Sequence, residues 1–126
     1  MSIAKAHALA NKFLKQAFPD LPIVFENAPM SKPKALPFLT VDFIPTAYKS
    51  DTLCADRIYK GLYSINIYTM RGTGTANATT IADDILDRFY LAHIESLYFK
   101  GGEISSGITT DNYYILNVSI NYEMRS

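Results

Sequence analysis

Residues 112–123, which read NYYILNVSINYE, alternate almost without error between apolar and polar side chains. One side of the stretch carries Tyr114, Leu116, Val118, Ile120 and Tyr122, and the other carries Ile115, Asn117, Ser119, Asn121 and Glu123. Because successive side chains of a strand point to opposite faces, the stretch predicts one long strand with a buried face and a polar face. The polar face offers amides, a hydroxyl and one acid but no nucleophile–base pair, which favours a role in surface contacts and assembly over a role in catalysis.

Two further stretches alternate in the same way, at residues 38–44 and 57–70, and they predict two more strands. Pro45 cannot donate a ladder hydrogen bond, so we expect it either to close the first of these strands or to place that strand at a sheet edge. Shorter strands are predicted at 23–26, 97–100 and 103–108, and the last two are expected to be joined by a hairpin turn at Gly101-Gly102.

Apolar residues recur at spacings of three and four in residues 2–17 and about 75–92, a pattern typical of amphipathic helices. The order helix, strands, helix, strands, with mainly hairpin connections, predicts an α+β fold: a largely antiparallel sheet with two helices packed on one face. The polar and charged segment 46–57 adds either a long hairpin tip or a mobile loop. We expect residues 1–126 to form a single domain.

The composition argues against several classes of protein. Lys and Arg together number 12, as do Asp and Glu, so the formal net charge is zero, whereas a specific nucleic-acid binder needs a basic surface. Cys54 is the only cysteine, which excludes an internal disulfide and fits a reducing cytosol. No apolar run approaches the roughly 18 residues that a membrane span requires, and residues 1–10 do not read as a signal peptide.

Motifs that could bind a ligand are weak. Gly72-Thr73-Gly74 stands before the second helix, where a phosphate can bind, but it lacks the other residues of a nucleotide-binding fingerprint and reads better as a plain turn. His7 lies in the stripe of the first helix, and His93 lies near the end of the second, where a cation complements the helix dipole. The acidic residues between 83 and 87 are typical of a solvated helix face. The sequence therefore predicts no catalytic residue, no metal site and no cofactor.

Tyrosine-rich strands and the polar segment supply the candidates for a contact surface. The chain has 9 Tyr, and a side chain with an apolar body and a polar tip suits both a sheet core and a half-buried interface. The segment 47–57 is either a contact with a neighbouring molecule or a mobile loop. The candidate subunit or tube interface residues are Tyr48, Lys49, Asp51, Asp56, Arg57, Tyr59, Asn117, Ser119 and Asn121.

Taken in order, these elements resemble the small tail terminator, or tail completion, proteins of long-tailed bacteriophages, the group that includes minor tail protein U of lambda-like phages. The resemblance covers nearly all of the chain. The matching elements are the helix that ends at Phe18-Pro19, the segments 22–27 and 37–39, the polar insertion 46–57, the strand 61–70, the Arg-Gly-Thr-Gly turn into residues 75–90, and the final Asn-Val-Ser-Ile-Asn-Tyr strand.

The resemblance implies a structural virion protein without enzymatic activity. Such proteins form a hexameric ring at the head-proximal end of the tail tube, where the ring stops polymerisation of the tube protein and offers a surface for joining the head. The implied partners are further copies of the chain, the tail tube protein and a head-completion or neck protein, with assembly in the host bacterial cytoplasm. The alternatives are another head–tail joining protein, or a small ligand-binding or enzymatic α+β domain with a concave pocket.

Overall fold

The structure is a computed structural model that describes residues 3–24, 37–50, 57–72, 75–105, 107–110 and 113–125, with the backbone alone at positions 3, 46–50, 57 and 125. In chain order, the elements are α1 (Ile3–Ala17), β1 (Ile23–Val24), β2 (Phe38–Ser50), β3 (Arg57–Met70), α2 (Thr75–Phe89), β4 (His93–Ile94), β5 (Leu97–Ile104), β6 (Ile108–Thr109) and β7 (Tyr113–Arg125). Two helices and a mostly antiparallel sheet confirm the α+β fold that the sequence predicts.

The sheet has seven strands in the order β1-β2-β3-β7-β5-β4, and β6 pairs with the remaining part of β7. All pairs are antiparallel except that of β1 with β2. The C-terminal strand β7 therefore lies inside the sheet, between β3 on one side and β5 and β6 on the other. The regular alternation of residues 113–123 follows because one face of β7 is packed into the core, and a slip of one residue would expose that face.

Both helices pack on the same face of the sheet and share one core with it. The buried side chains of α1 are Ala6, Leu9, Ala10 and Leu14, and those of α2 are Ala78, Ile81, Ala82, Ile85 and Phe89. The central strands contribute Leu39, Val41, Tyr63, Ile65, Ile67, Val118 and Ile120. The helices meet where the rings of Phe13 and Phe89 lie 4.8 Å apart in an edge contact. The predicted placement of both helices on one face is confirmed.

The strand around Pro45 is longer than the sequence predicts. Instead of closing at Pro45, β2 continues to Ser50, and the pairing with β3 shifts register between Pro45 and Ala47. The shift is a bulge, which lets a strand continue past a residue that cannot donate a ladder hydrogen bond. Residues 46–50, expected in a hairpin tip or a mobile loop, belong instead to β2, whereas Arg57 begins β3 as the predicted strand 57–70 requires; residues 51–56 lie outside the described part of the chain.

The predicted hairpin at Gly101-Gly102 is wrong. β5 runs without interruption from Leu97 to Ile104, with a register shift between Phe99 and Gly101. A methyl group on Gly102 would lie 2.8 Å from both the Leu86 side chain and the Ser119 carbonyl oxygen. This glycine is therefore needed for the close approach of α2 to the sheet, and not for a turn.

The second helix is three residues shorter than predicted. It ends at Phe89, and Leu91 follows with a positive φ of 53°, the left-handed conformation that commonly terminates a helix. His93 therefore lies in β4, where its ring stacks on Tyr98 with the centroids 5.5 Å apart. The predicted role of His93 at the helix C-terminus is not what the structure shows.

Candidate functional site

The face of the sheet opposite the helices is the main candidate for a contact surface. We call it the helix-free face, and it is formed by alternate residues of β2, β3 and β7. In register across these strands lie the pairs Phe38 and Tyr68, Thr40 and Asn66, Asn66 and Asn117, Ser64 and Ser119, and Lys60 and Glu123. In the described part of the chain, both helices pack on the other face. The helix-free face is partly exposed: Phe38, Ser64 and Glu123 are buried, while Thr40, Asn66 and Asn117 are half-buried.

The middle of the helix-free face is a hydrogen-bonded network of amides and hydroxyls. The Asn117 side-chain amide donates to Ser64 Oγ and to Asn66 Oδ1, both at 2.8 Å. Ser119 Oγ donates to Asn117 Oδ1 at 3.0 Å, and the Asn66 amide donates to Thr40 Oγ1 at 3.3 Å. These bonds join three strands, and they fix the orientation of each amide because every donor has an acceptor on a neighbouring residue.

One end of the helix-free face is aromatic and apolar. The ring of Phe38 stacks on Tyr68 at 4.6 Å, and Tyr113 meets both rings edge-on at 5.8 Å and 5.4 Å. Met70 pairs with Tyr113 at the end of this row and is 59% exposed, while Ile108 on β6 is 63% exposed. An exposed apolar group beside fixed aromatic rings is a typical anchor for a protein partner.

The other end of the helix-free face is charged. Glu123 is only 8% exposed, and its carboxylate is held by Lys100 at 2.7 Å and Lys60 at 3.8 Å. A carboxylate this buried needs cationic partners to offset its lost hydration. Because two ammonium groups surround one carboxylate, this end of the face carries a net positive charge. Asn121 lies beside it, exposed, and its amide donates to the Gly101 carbonyl oxygen at 3.4 Å.

The candidate interface residues from the sequence fall into three groups. Asn117, Ser119 and Asn121 lie on the helix-free face, the first two in its network. Tyr59 is 8% exposed and belongs to the core, so it offers little surface in a single copy. The remaining five are Tyr48, Lys49 and Arg57, whose backbone lies in β2 and β3, and Asp51 and Asp56, which lie outside the described residues.

Sequence reasoning missed the partners of Asn117 on β3, Ser64 and Asn66, and the Thr40 hydroxyl on β2 that accepts from Asn66. Thr40, Ser64 and Asn66 occupy polar positions of the alternating stretches 38–44 and 57–70, so the signal was present. What the sequence alone did not supply is the register, which brings Asn66 opposite both Thr40 and Asn117. Strand order and register together turn separate polar residues into one network.

On the helix-covered side of the sheet, Tyr59, Tyr63 and Tyr122 are buried. The Tyr63 hydroxyl donates to Asn11 Oδ1 at 2.7 Å, and burial raises the pKa of Tyr63 far above its ordinary value. Burial also raises the pKa of Tyr122 to about 12. Both phenols are therefore neutral at physiological pH and contribute to packing, and the Tyr63 phenol also forms a hydrogen bond.

The described residues also bear on metal binding and on membrane insertion. Within the described ranges, no group of three or more His, Cys, Asp or Glu side chains is placed to hold a metal ion. Of the helices in that same part of the chain, none combines the length and the hydropathy that crossing a bilayer requires.

Comparison with known proteins then decides the family. A sequence profile for phage tail terminator proteins matches residues 4–122. The chain belongs to the phage tail terminator protein family. Members of this family are structural components of phage tails, so the protein is a tail component, and its surfaces are to be read as contacts with other tail proteins. A comparison with functionally curated proteins finds no match.

The fold of this tail terminator family member is also found in a solved structure of similar size. The two share 23% sequence identity with a TM-score of 0.74, over 98% of this chain and 96% of the other. At this level of identity the likeness concerns the fold. It shows that the arrangement of strands and helices described above occurs as a whole in another protein.

Proposed function

We propose that this protein caps the head-proximal end of the phage tail tube as a hexameric ring. The ring ends polymerisation of the tube protein and then presents a surface to a head-completion or neck protein. In this proposal residues 1–126 act as a single domain, assembly takes place in the host bacterial cytoplasm, and the role is structural rather than enzymatic. The observation that carries the proposal is the family match over residues 4–122.

The proposed mechanism is a one-sided contact. One side of the ring binds the last ring of tube subunits, and the opposite side does not repeat the surface that the next tube ring would need, so growth stops. The subunit supports this mechanism with two unlike sides, one covered by α1 and α2 and the other carrying the helix-free face. A head-to-tail ring contact that closes on itself completes the cap.

The helix-free face suits a docking role because its side chains are already held in place. Asn117, Ser64 and Ser119 are fixed by hydrogen bonds to one another, so little side-chain freedom remains to be lost when a partner binds. The exposed Met70 and Ile108 at one end and the lysines at the other give the face polarity along the strands. A partner would therefore bind it in one orientation.

The experiment is a tube-length assay. Purified tube protein is polymerised with and without this protein, and the tube lengths are measured by electron microscopy. We expect the wild-type protein to shorten the tubes and to be seen at one tube end. Tubes of unchanged length, with no protein at either end, would contradict the proposal.

Two variants locate the contact on the helix-free face. Asn121→Arg places a long cation at an exposed position of this face, and we expect it to reduce capping without loss of folding. Thr109→Arg places the same cation at an exposed position of β6, whose pairing with Tyr114 puts it on the opposite face of the sheet, and serves as the control. Equal capping by both variants would remove the helix-free face from the mechanism.

A second pair of substitutions tests the segment 47–57, the first candidate from the sequence. The double variant Lys49→Glu with Arg57→Glu reverses two charges at the paired ends of β2 and β3. We expect it to abolish capping while the monomer stays folded. The charge-conserving double variant Lys49→Arg with Arg57→Lys is the control and should cap normally. Tubes of wild-type length distribution with the charge-reversed protein would exclude this segment as a contact.

A further inference from the structure

Helix α1 presents a purely basic charge pattern to solvent. Its 15 residues contain Lys5, Lys12 and Lys15 and no acid. Lys12 and Lys15 are exposed, and Lys5 forms an ion pair with Glu95 at 3.6 Å. Lys15 lies in the last turn, where a cation is favoured by the helix dipole.

Helix α2 presents the opposite charge, and it does so in the unfavourable half of the helix. Asp83, Asp84 and Asp87 are exposed and lie in the second half of Thr75–Phe89, with Arg88 as the only cation, while the first turn contains no acid. The negative end of the helix dipole acts within the last turn, so the acid Asp87 is disfavoured there. Asp87 also lies three and four residues after the other two, at spacings where like charges repel.

These charges are not explained by the fold of a single copy. The core of α2 is made by its apolar stripe, and the aspartates lie outside that stripe. Asp is a poor helix former, and a local choice that opposes both propensity and dipole is the kind that function retains. A cationic surface placed over the acidic face would remove the repulsion and reverse the unfavourable dipole interaction.

We propose that the acidic face of α2 binds the basic face of α1 on the neighbouring copy of this chain. This inference rests on the proposed ring and names its subunit contact. The occupant is argued from charge complementarity: Lys12 and Lys15, on a helix without an acid, match three aspartates on a helix with a single arginine. Because the two charges lie on different helices, each copy gives its α2 to one neighbour and its α1 to the other, which is the head-to-tail contact that a ring needs.

The contact is electrostatic in origin, so it has a defined salt dependence. Exposed charges are screened as the Debye length falls from about 10 Å at 0.1 M to about 3 Å at 1 M ionic strength. We expect the protein concentration at which rings form to rise at least tenfold over this range. A salt-independent assembly would show that apolar burial, and not these helices, holds the copies together.

A charge-exchange experiment tests the pairing directly. The first variant is Asp84→Lys with Asp87→Lys, which makes both helices basic, and the second is Lys12→Glu with Lys15→Glu, which makes both acidic. Each protein is examined by native mass measurement and electron microscopy, in solution and with purified tail tubes, and circular dichroism shows that it is folded. We expect neither variant to form rings alone.

An equimolar mixture of the two variants is the decisive sample. In the mixture every α2–α1 contact between unlike copies joins opposite charges again, so rings with alternating subunits are expected to return. Reversing two exposed acids of the sheet instead, as Asp42→Lys with Glu103→Lys, gives the same change of net charge away from both helices; it is the control and should form rings in solution as the wild type does. Rescue in the mixture supports the contact.

The outcomes separate this inference from the proposed function. If the single variants form rings as the wild type does, or if the mixture of folded variants fails to rescue them, the helix contact is overturned while the ring and the capping role stand. A charge-dependent species of only two copies would overturn the one-directional arrangement. If the wild type forms no ring either in solution or on tail tubes, the proposed function and this inference fall together.

Discussion

Adding one methyl group at Gly61 should destabilise this protein, whereas the same change at Gly101 should not. Gly61 pairs with Tyr122 across β3 and β7. A Cβ atom at Gly61 would collide with the Ile44 carbonyl oxygen and would lie 2.6 Å from the Tyr122 hydroxyl oxygen. The Tyr122 ring cannot simply move away, because it stacks on Phe43 at 4.6 Å, and Phe43 in turn stacks on His7 at 4.8 Å.

The magnitude follows from two opposing effects in Gly61→Ala. Overpacking by one methyl group in a fixed environment costs about 1–3 kcal/mol. Replacing glycine within a strand returns about 0.5–1 kcal/mol, because alanine has less backbone freedom to lose. The clash involves a backbone oxygen held by the β2–β3 ladder, so the cost dominates. We expect the free energy of unfolding to fall by about 1–2 kcal/mol, or about 4–8 °C in melting temperature.

The measurement is urea unfolding of the wild type, Gly61→Ala and Gly101→Ala, followed by circular dichroism. Gly101 is the matched control, because a Cβ atom there would have no neighbour within 4 Å. We expect Gly101→Ala to equal the wild type or to exceed its free energy of unfolding by up to about 1 kcal/mol. If Gly61→Ala were as stable as Gly101→Ala, the close packing of Tyr122 over Gly61 would be refuted.

Three further predictions concern the network, a buried tyrosine and the second helix. Asn117→Leu should lower the free energy of unfolding by about 1–3 kcal/mol, because Ser64 and Asn66 lose their donor, whereas Asn121→Leu should change it by less than about 0.5 kcal/mol in the same titration. Tyr63 keeps its proton in the folded state at a pH where the unfolded chain loses it, so its stabilising contribution is complete below pH 10 and falls above it. The free energy of unfolding, measured at pH 9–12, should therefore fall less steeply with pH for Tyr63→Phe than for the wild type, by about 1.4 kcal/mol per pH unit above pH 10. Asp84→Asn should raise the melting temperature of the monomer slightly at low salt and leave it unchanged at high salt, while ring formation weakens.

The long, regular elements could be predicted from the sequence because their patterns are repeated many times. Apolar groups lie on one side of the alternating residues 57–70 and 112–123 and on one side of each helix. Burial of that side determines which face of each element points to the core. The predictions that fail are those that rest on the usual conformational preference of a single proline or glycine. Pro45 was expected to end a strand and is carried through by a bulge, and Gly102 was expected in a turn and instead admits Leu86.

The candidate site was predictable only in part, for a related reason. Asn117, Ser119 and Asn121 follow from the polar side of one strand, and the alternation identifies them without further information. The partners of Asn117, Ser64 and Asn66, lie more than 50 residues away in sequence, and a local sequence pattern does not determine strand register. Tyr59 was predicted as an interface residue but is buried in the core, because a tyrosine side chain suits both a surface and a core and the sequence does not distinguish them.

Two unlike surfaces on one small subunit allow the two tasks of a tube cap to be separated. The charged faces of α1 and α2 are proposed to join copies to one another, and the helix-free face is proposed to meet the tube. Asn121→Arg changes only the second surface, so it should form rings that no longer cap. Asp84→Lys with Asp87→Lys changes only the first surface, yet it should lose rings and capping together, because a single copy covers too little of a tube end to stop growth. If the two surfaces are separate in this way, some variants will form rings without capping tubes, but no variant will cap tubes without forming rings.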